Sequence, residues 1–225
     1  MAYILGLDAS HWVSPDWGAL VAQGHKFAWL KSTEHISFTD GKYWAHKAAA
    51  EAAGMITGPY HYFRAAWAGA PQAQHFFDNV GVDWKLFPAV DVERKNNGGF
   101  AQAVFKARLL ECLERCEQLF GRKPVIYTSK YAWEELVGSA PWAPDYDLWV
   151  AHYSSASNAP LLPSDWTAWQ AWQFTSTPLD TNRMKQEYWD SIVGPEPPPA
   201  IVKLTAPRNA DIIEIALTGR GGIMV

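Results

Sequence analysis

The sequence predicts an α/β protein whose strands close into an irregular eight-stranded (β/α)5β3 barrel, followed by a short C-terminal β-hairpin. Short apolar runs alternate with helical segments five times up to about residue 137, an order that implies parallel strands joined by right-handed crossovers. Three further strand-like runs then follow without long helices between them. A proline-rich run separates this part from two apolar segments near the C-terminus.

The predicted elements are joined by short connections. Strands are predicted over about residues 4–8, 27–30, 55–62, 87–93, 124–128, 148–152, 171–174 and 180–184. Helices are predicted over about residues 14–23, 42–53, 72–80, 100–120 and 132–137. Ser14 before Pro15 is the expected N-cap of the first helix, and Gly54 and Gly121 are expected to end the second and fourth helices.

The composition indicates a folded chain that can bury a sizeable core. Of 225 residues, 48% are hydrophobic and 19% are charged. The net charge of −4 and the absence of a Lys/Arg cluster argue against a nucleic-acid partner. No stretch resembles a signal peptide or a membrane span, so we expect synthesis in the cytoplasm and no membrane insertion. The 13 Trp residues suit contacts with sugar rings, although large cores also use Trp.

The positions of the two cysteines indicate that they pack in the core rather than form a disulfide or bind a metal. Cys112 and Cys116 lie one helical turn apart, which separates their Cβ atoms by about 5–6 Å, whereas a disulfide needs roughly 3.5–4.5 Å. They also follow the apolar stripe of the predicted helix. No His, Cys and Asp residues have the spacing of metal ligands, so we expect no metal or other cofactor.

The predicted strand over residues 87–93 carries the strongest functional signal. If the strand reaches Glu93, its period of two aims Asp91 and Glu93 at the same face. A pair of acids at the end of a buried strand can divide into one protonated and one ionised group, as the cleavage of a glycosidic bond requires. The alternative is a strand that runs into a solvated polar loop, because charged and amide residues follow at 94–97.

Several other predicted strands also deliver polar residues at their C-terminal ends, where barrels of this type carry their active sites. The residues predicted to meet there are Asp8, Lys31, Glu34, Tyr62, Asp91, Glu93, Tyr127, His152, Gln173 and Asp180. Each has a structural alternative: a strand-end or turn charge for the aspartates, core packing for the tyrosines, and a mutual ion pair for Lys31 and Glu34. His11 and His61 are interpreted as structural.

Seven segments in order make the sequence similar to a known family. They are GLDASHW (6–12), LKSTE (30–34), GPYHY (58–62), DVE (91–93), YTS (127–129), LWVAHY (148–153) and WQFTS (172–176). Over about residues 4–193 the chain resembles the family-25 glycoside hydrolases, the N-acetylmuramidase lysozymes of bacteria, phages and some fungi. The resemblance implies an irregular TIM-like barrel that agrees with the strand count above.

The resemblance also implies an activity, and roles for particular residues. It implies a phage endolysin or bacterial autolysin that cleaves the β-1,4 bond between N-acetylmuramic acid and N-acetylglucosamine in peptidoglycan glycan strands, with retention. Glu93 would be the general acid, Asp91 would stabilise the transition state or orient the 2-acetamido group, and Asp8 and Asp180 would flank them. Ionised Asp8 and Asp91 are expected to raise the pKa of Glu93. The substrate-binding residues would be Tyr62, Lys31, Glu34, Tyr127, Trp149 and Gln173.

Two departures from the family pattern stand out. His35 occupies a position at which the family usually has Gly, and the loop before Asp180 is shortened to residues 177–179, which is expected to open one side of the cleft. A non-catalytic wall-binding or virion protein on the same barrel is the alternative function. A chitinase is a third hypothesis, but its longer acidic motif is missing around Asp91 and Glu93.

The chain is predicted to divide into a catalytic barrel over residues 1–194, a proline-rich linker over 195–199, and a hairpin tail over 200–225. A lone hairpin is too small to fold by itself. We therefore expect residues 200–225 to mediate self-association or to anchor the protein to another chain. The enzyme would reach the bacterial cell wall after release from the cell, as in phage lysis, or as a virion component.

Overall fold

The computed structural model describes residues 2–154, 159–194, 200–205, 212–218 and 222–223. The chain divides into two compact units, Met1–Ile192 and Val193–Val225, and each is described by itself. Among the described helices, none combines the length and the apolar composition that a bilayer-spanning segment requires.

A closed barrel forms the first unit. The described strands of this unit are β1 (Tyr3–Ala9), β2 (His25–Glu34), β3 (Phe38–Thr39), β4 (Ile56–Tyr62), β5 (Ala89–Asp91), β6 (Val125–Ser129), β7 (Leu148–Ala151), β8 (Ala171–Thr175) and β9 (Thr181–Lys185). The barrel order is β1-β2-β4-β5-β6-β7-β8-β9, and β1 closes it by pairing with both β2 and β9. The ladders that join β1, β2, β4, β5, β6, β7 and β8 are parallel, whereas the two ladders of β9 and the short ladder between β2 and β3 are antiparallel. The predicted (β/α)5β3 barrel is confirmed, with the short β3 as an addition on β2.

Helices surround the barrel. They are α1 (Trp17–Ala22), α2 (Tyr43–Ala52), α3 (Gly69–Val80), α4 (Gln102–Phe120), α5 (Lys130–Leu136) and α6 (Gln186–Val193). The predicted cap of α1 was wrong: the cap is Asp16, whose Oδ1 accepts a hydrogen bond from the Ala19 N–H, so Pro15 lies before the cap. Gly54 and Gly121 follow α2 and α4 with left-handed φ values of 98° and 72°, as predicted.

Alternation along the strands divides the apolar residues into two cores. On β2, Phe27 and Trp29 belong to the core inside the barrel, whereas Ala28 and Leu30 pack outwards against the helices. Helix α6, which the sequence did not predict, adds Tyr188 and Trp189 to the inner core. Cys112 and Cys116 are free thiols buried in the outer core, as predicted.

The prediction that β5 continues to Glu93 was wrong, although both acids still enter one cleft. The β5 ladders to β4 and β6 end at Asp91. Beyond it, Val92 is held by its own N–H, which donates to the Tyr127 carbonyl, and by the Thr128 hydroxyl, which donates to the Val92 carbonyl. Val92 is fully buried in the outer core, so Glu93 faces the same side as Asp91.

The second unit contains an antiparallel sheet. Its strands are β10 (Ala200–Thr205), β11 (Ile212–Thr218) and β12 (Gly222–Ile223), in the order β10-β11-β12. The first two contain the apolar runs that the sequence indicated as a hairpin, and the register pairs Val202 with Ile215. The third strand was not predicted. The proline-rich linker (195–199) and the predicted turn (207–210) lie outside the described residues.

Candidate active site

A cleft of about 480 Å³ lies at the C-terminal ends of the barrel strands. It is lined by the ten residues that the family resemblance assigned to catalysis or substrate binding: Asp8, Lys31, Glu34, Tyr62, Asp91, Glu93, Tyr127, Trp149, Gln173 and Asp180. His152, which the sequence also placed at this rim, lines a second, adjoining cavity instead. The parallel strands β1, β2, β4, β5, β6, β7 and β8 bring their carboxyl ends to this rim, which is why residues far apart in sequence meet.

Asp8, at the end of β1, is fixed by two amides. Both Gln173 Nε2 and Asn182 Nδ2 donate to Asp8 Oδ2, each at 2.7 Å. Asn182 is oriented in turn by Trp149, whose Nε1 donates to Asn182 Oδ1 at 2.7 Å. Burial raises the pKa of Asp8 well above 3.8, and the neighbouring charge of Asp180 raises it further, although the two amide hydrogen bonds oppose the shift.

Gln173 joins three sides of the cleft. Its Oε1 accepts hydrogen bonds from the hydroxyls of Tyr127 at 2.7 Å and Tyr153 at 2.6 Å, while its Nε2 holds Asp8. The contacts with Tyr127 and Asp8 are buried and the contact with Tyr153 is part-buried, and together they leave the amide group one orientation in which every bond is made. Gln173 therefore positions Asp8 from within the cleft, and its predicted contact with substrate stays a prediction.

Asp91 has an oxygen without a partner. Its side chain is buried, and Oδ1 makes no hydrogen bond within the described residues. Burial raises the pKa of Asp91 well above 3.8, the charge of Glu93 adds to the rise, and the ammonium group of Lys31 opposes it. A buried carboxylate oxygen that lacks a donor is costly, so it indicates a position at which a ligand N–H or O–H is expected.

Glu93 lies on a loop held by Asn97. Asn97 is fully buried, and its Nδ2 donates to the carbonyls of Glu93 at 2.9 Å and Phe63 at 2.8 Å. Burial raises the pKa of the Glu93 carboxyl above 4.5, the charge of Asp180 adds to the rise, and the charge of Lys31 opposes it. The predicted direction is correct, but the main cause is burial rather than the charges of Asp8 and Asp91, because those two carboxyls also resist ionisation.

The cleft therefore contains four carboxyl groups that share protons. The pKa of Asp180 is also raised, by burial, and its backbone carbonyl accepts a hydrogen bond from the Asp8 N–H. Groups this close titrate together, so ionising one raises the pKa of the others. Such a cluster favours a carboxylic acid and a carboxylate side by side, which is the requirement for acid-assisted cleavage of a glycosidic bond.

Lys31 and Glu34 pair with each other, as the structural alternative proposed. Lys31 Nζ lies 2.8 Å from Glu34 Oε2, and Arg64 NH1 lies 2.5 Å from Glu34 Oε1. Burial raises the pKa of Glu34, but the hydrogen bonds and charges of Lys31 and Arg64 outweigh it and hold the pKa below 4.5. Lys31 Nζ also lies 4.8 Å from the centre of the Tyr62 ring, so its ammonium group makes a cation–π contact at this wall of the cleft.

Two of the predicted substrate-binding aromatic residues form the walls and floor of the cleft through contacts of their own. The Tyr62 hydroxyl donates to the Lys95 carbonyl at 2.7 Å and fixes the loop after Glu93. Trp149 is 1% exposed and stacks on Trp29 at 4.2 Å, so it forms the floor. His61 is buried between Thr33 and Gln72 with its pKa lowered to about 3 by burial, which agrees with the structural role predicted for it.

Sequence reasoning missed three positioning residues. Asn182 follows Asp180 at the period of two of a predicted strand, a signal that could have placed it beside Asp8. Arg64 follows a polar strand end and could have been considered as a partner of Glu34. Asn97 gave no signal, because it stands in a run of charged and amide residues that is typical of a solvated loop.

The fold and this cleft define the class: a β/α-barrel protein with a carboxyl-lined site at the C-terminal ends of its strands. Residues 7–182 match the family of glycosyl hydrolases family 25, and the chain belongs to that family.

Named relatives agree with this assignment. The chain is 32% identical over 187 residues to lysozyme M1 of Streptomyces globisporus, covering 77% of this chain and 62% of that protein. It is also 30% identical over 177 residues to the uncharacterized protein YegX of Escherichia coli O157:H7, covering 76% of this chain and 62% of that protein, so the chain spans less than two thirds of the length of both relatives. Among solved structures, a bacterial lysozyme from Streptomyces coelicolor is 28% identical with a TM-score of 0.76, covering 82% of this chain and 93% of that one. A family GH25 lysozyme from Aspergillus fumigatus is 25% identical with a TM-score of 0.79, covering 86% and 100%.

Proposed function

We propose that the protein is a muramidase that hydrolyses the β-1,4 bond between N-acetylmuramic acid and N-acetylglucosamine in peptidoglycan, with retention. The observation that carries the proposal is the pairing in one cleft of Glu93, a half-buried acid with a raised pKa, with Asp91, whose buried Oδ1 has no donor within the described residues. The first is suited to give a proton, and the second to accept an N–H from a substrate.

In the first step, Glu93 donates its proton to the glycosidic oxygen as the C1–O bond breaks. Asp91 Oδ1 accepts the N–H of the 2-acetamido group and holds its carbonyl oxygen beneath C1. That oxygen forms a bond to C1 on the face opposite the leaving group, giving a cyclic oxazolinium ion whose positive charge Asp91 stabilises. In the second step, Glu93, now a carboxylate, takes a proton from water as the water oxygen attacks C1. The bond from C1 to the acetamido oxygen breaks and restores the acetamido group, and two inversions give net retention.

The remaining cleft residues support these two groups. The charge of Asp180 favours the protonated form of Glu93, and Gln173 and Asn182 hold Asp8 in place beside these groups. Lys31 lowers the pKa of Asp91 and so keeps part of it available as the carboxylate. Tyr62, Tyr127 and Trp149 form the walls and the floor against which the sugar rings would lie.

We expect purified peptidoglycan to release fragments that carry N-acetylmuramic acid at the new reducing end. Proton NMR of the first products should show the β-anomer before mutarotation, because the mechanism inverts C1 twice. An initial α-anomer would contradict the proposed use of the acetamido group, and a sugar covalently trapped on Asp91 would reassign the nucleophile. Intact walls that are bound without fragment release would favour the alternative function, a non-catalytic wall-binding or virion protein.

We also propose that the C-terminal unit joins the protein to a further chain or to a second copy of itself. The protein is proposed to act on the cell wall after its release. The third strand, β12, has only two residues, so β10 and β11 form little more than a hairpin, and strand edges of this kind can pair with another chain. Truncation after Gly194 keeps α6, which carries Tyr188 and Trp189 of the inner core, and is expected to leave hydrolysis of soluble glycan unchanged.

Light scattering of the full chain and of the truncated chain, with activity measured on both, tests this role. We expect fewer copies of the chain per particle after truncation, or the loss of a binding partner in pull-down from the source cells. An unchanged number of copies together with lost catalysis would show that the tail belongs to the barrel.

A further inference from the structure

Five aromatic rings lie in continuous contact along one side of the cleft. Trp12 contacts His11 with ring centres 4.5 Å apart, His11 contacts Phe38 at 5.7 Å, Phe38 contacts His35 at 6.4 Å, and His35 stacks on Trp67 at 4.8 Å. We call these five residues the aromatic arc. Four of them, all except Trp67, line the same cleft as the carboxyl cluster, so the arc continues that site.

The backbone of His35 is unusual for a residue with a side chain. Its φ is +43°, in the left-handed region that favours glycine. Asn96 at +62° is the other non-glycine residue with positive φ in the described chain, and it also lines the cleft. Backbone strain of this kind persists where the side chain at that position is needed, and it is concentrated at ligand sites.

The His35 ring is held in one orientation with a free N–H. The Ser37 N–H donates to His35 Nδ1 at 3.1 Å, which requires that nitrogen to be an acceptor and places the ring proton on Nε2. Burial lowers the pKa of His35, so the ring is neutral near pH 7. The position therefore offers a flat uncharged face and one hydrogen-bond donor.

The charges near the arc are already paired. Asp40 accepts hydrogen bonds from both the backbone N–H and the Nδ1 of His11 at 2.9 and 2.7 Å, and Glu34 is held by Lys31 and Arg64. What the arc presents outwards is ring surface, with Trp12 80% exposed. An uncharged ligand with an apolar face and peripheral acceptors fits this surface, and the C–H face of an N-acetylhexosamine ring has that chemistry.

The arc also lies in the direction that a polymer would follow. It is carried by the segments after β1, β2 and β4, whereas a second cavity of about 420 Å³ adjoins Glu93 on the opposite side of the barrel mouth, at the segments after β6 and β7. Glu93 lines both spaces. A glycan strand lying across the mouth, with its scissile bond at Glu93, would reach the arc with a ring remote from that bond.

We propose that the aromatic arc is a separate subsite, which binds an N-acetylhexosamine ring of the strand beyond the residues at the scissile bond, with His35 and Trp12 as its contact residues. This proposal rests on the proposed muramidase function for the identity of the polymer. It makes affinity depend on strand length, because only a chain long enough to span from the carboxyl cluster to the arc gains the additional contact.

The test measures binding by calorimetry in a Glu93→Gln background, with alternating N-acetylglucosamine and N-acetylmuramic acid oligomers of two to eight sugars. Trp12→Ala and His35→Gly are each expected to weaken binding of the longest oligomers by about three- to tenfold, the worth of one aromatic contact, and to leave the disaccharide unchanged. Trp44→Ala is the matched control, because Trp44 is 54% exposed but does not line the cleft.

A variant with Asn at position 35 separates the ring from the backbone strain. His35→Asn tolerates the left-handed backbone but lacks the ring, so it should lose affinity as His35→Gly does. His35→Gly should also raise the melting temperature by about 2–4 °C, because glycine adopts the left-handed backbone without strain. Unchanged affinity for long oligomers in both variants, or no dependence of parent binding on length, would overturn the subsite. Failure of the wild type to cleave peptidoglycan would refute the muramidase proposal alone, because the binding comparison does not use turnover.

Discussion

Replacing Glu93 by Gln is expected to lower the rate of glycan hydrolysis by about 10²–10⁴-fold, the usual worth of proton transfer by a positioned side chain. The amide has nearly the shape of the carboxylic acid but has no proton to give to the glycosidic oxygen. The loop that carries position 93 is held through the backbone carbonyl by Asn97, so the substitution leaves that contact in place. Turnover of soluble glycan, with matched circular dichroism spectra, measures the effect.

Glu135→Gln is the control for Glu93→Gln. Glu135 is exposed, pairs with Arg94 at 2.7 Å, and lines neither cavity described above, so its loss should leave activity within twofold of wild type, since exposed pairs contribute about 0–1 kcal/mol. Retention of more than a tenth of the wild-type rate by Glu93→Gln would remove Glu93 from the role of general acid. A fall in rate as the pH rises through the raised pKa of Glu93 is expected in the wild type and should be absent from the residual activity of the variant.

Most of the barrel could be predicted because its strands carry their information locally. The run over residues 27–30 is apolar on both faces, as a parallel strand between a filled barrel and covering helices must be, and β2 contains it. Polar residues directly after such runs then fall at one rim by topology alone. That rule brought Asp8, Lys31 and Gln173 into one cleft from distant parts of the chain.

What failed in the prediction depends on long-range contacts. The end of β5 at Asp91 is set by the short ladders to β4 and β6, and the position of Glu93 is set by Asn97, whose fully buried amide bridges Phe63 and Glu93. Nothing in the local sequence distinguishes that amide from a solvated one. The cause of the raised pKa of Glu93 was misassigned for the same reason, since burial is a property of the folded cleft and not of residue spacing.

The departure at His35 shows a further limit of sequence reasoning. A histidine where the family usually has glycine indicates a change at the rim, but only the φ of +43° shows that the ring is kept against a backbone preference. Only the contacts to Phe38 and Trp67 show that it belongs to a larger aromatic surface. The sequence identifies position 35 as unusual, but the role of the side chain can be inferred only from the residues that it contacts in the folded protein.

Replacing Asp91 by Asn is expected to change activity and stability in opposite directions. Activity should fall by about 10²–10³-fold, the scale for removing a preorganised electrostatic contact, because the neutral amide cannot offset the positive charge that forms on the acetamido group. Stability should rise near neutral pH. The folded-state pKa of Asp91 lies above 3.8, so the folded state holds the proton more tightly than the unfolded state does. This carboxyl therefore contributes stability that is present in full below about pH 3.8 and is lost as the pH rises through the folded pKa.

The Asn variant has no such titration, so urea unfolding at pH 4 and pH 7 should show its advantage over wild type growing between the two pH values. Asp78→Asn, on the exposed side of α3, is the control and should show neither the loss of rate nor the pH-dependent gain. A variant that hydrolyses glycan at the wild-type rate would remove Asp91 from the mechanism. Removing a buried carboxylate stabilises the fold only if that carboxylate is unpaired. A variant that loses stability equally at both pH values would therefore mean that Asp91 Oδ1 has a partner in the folded protein.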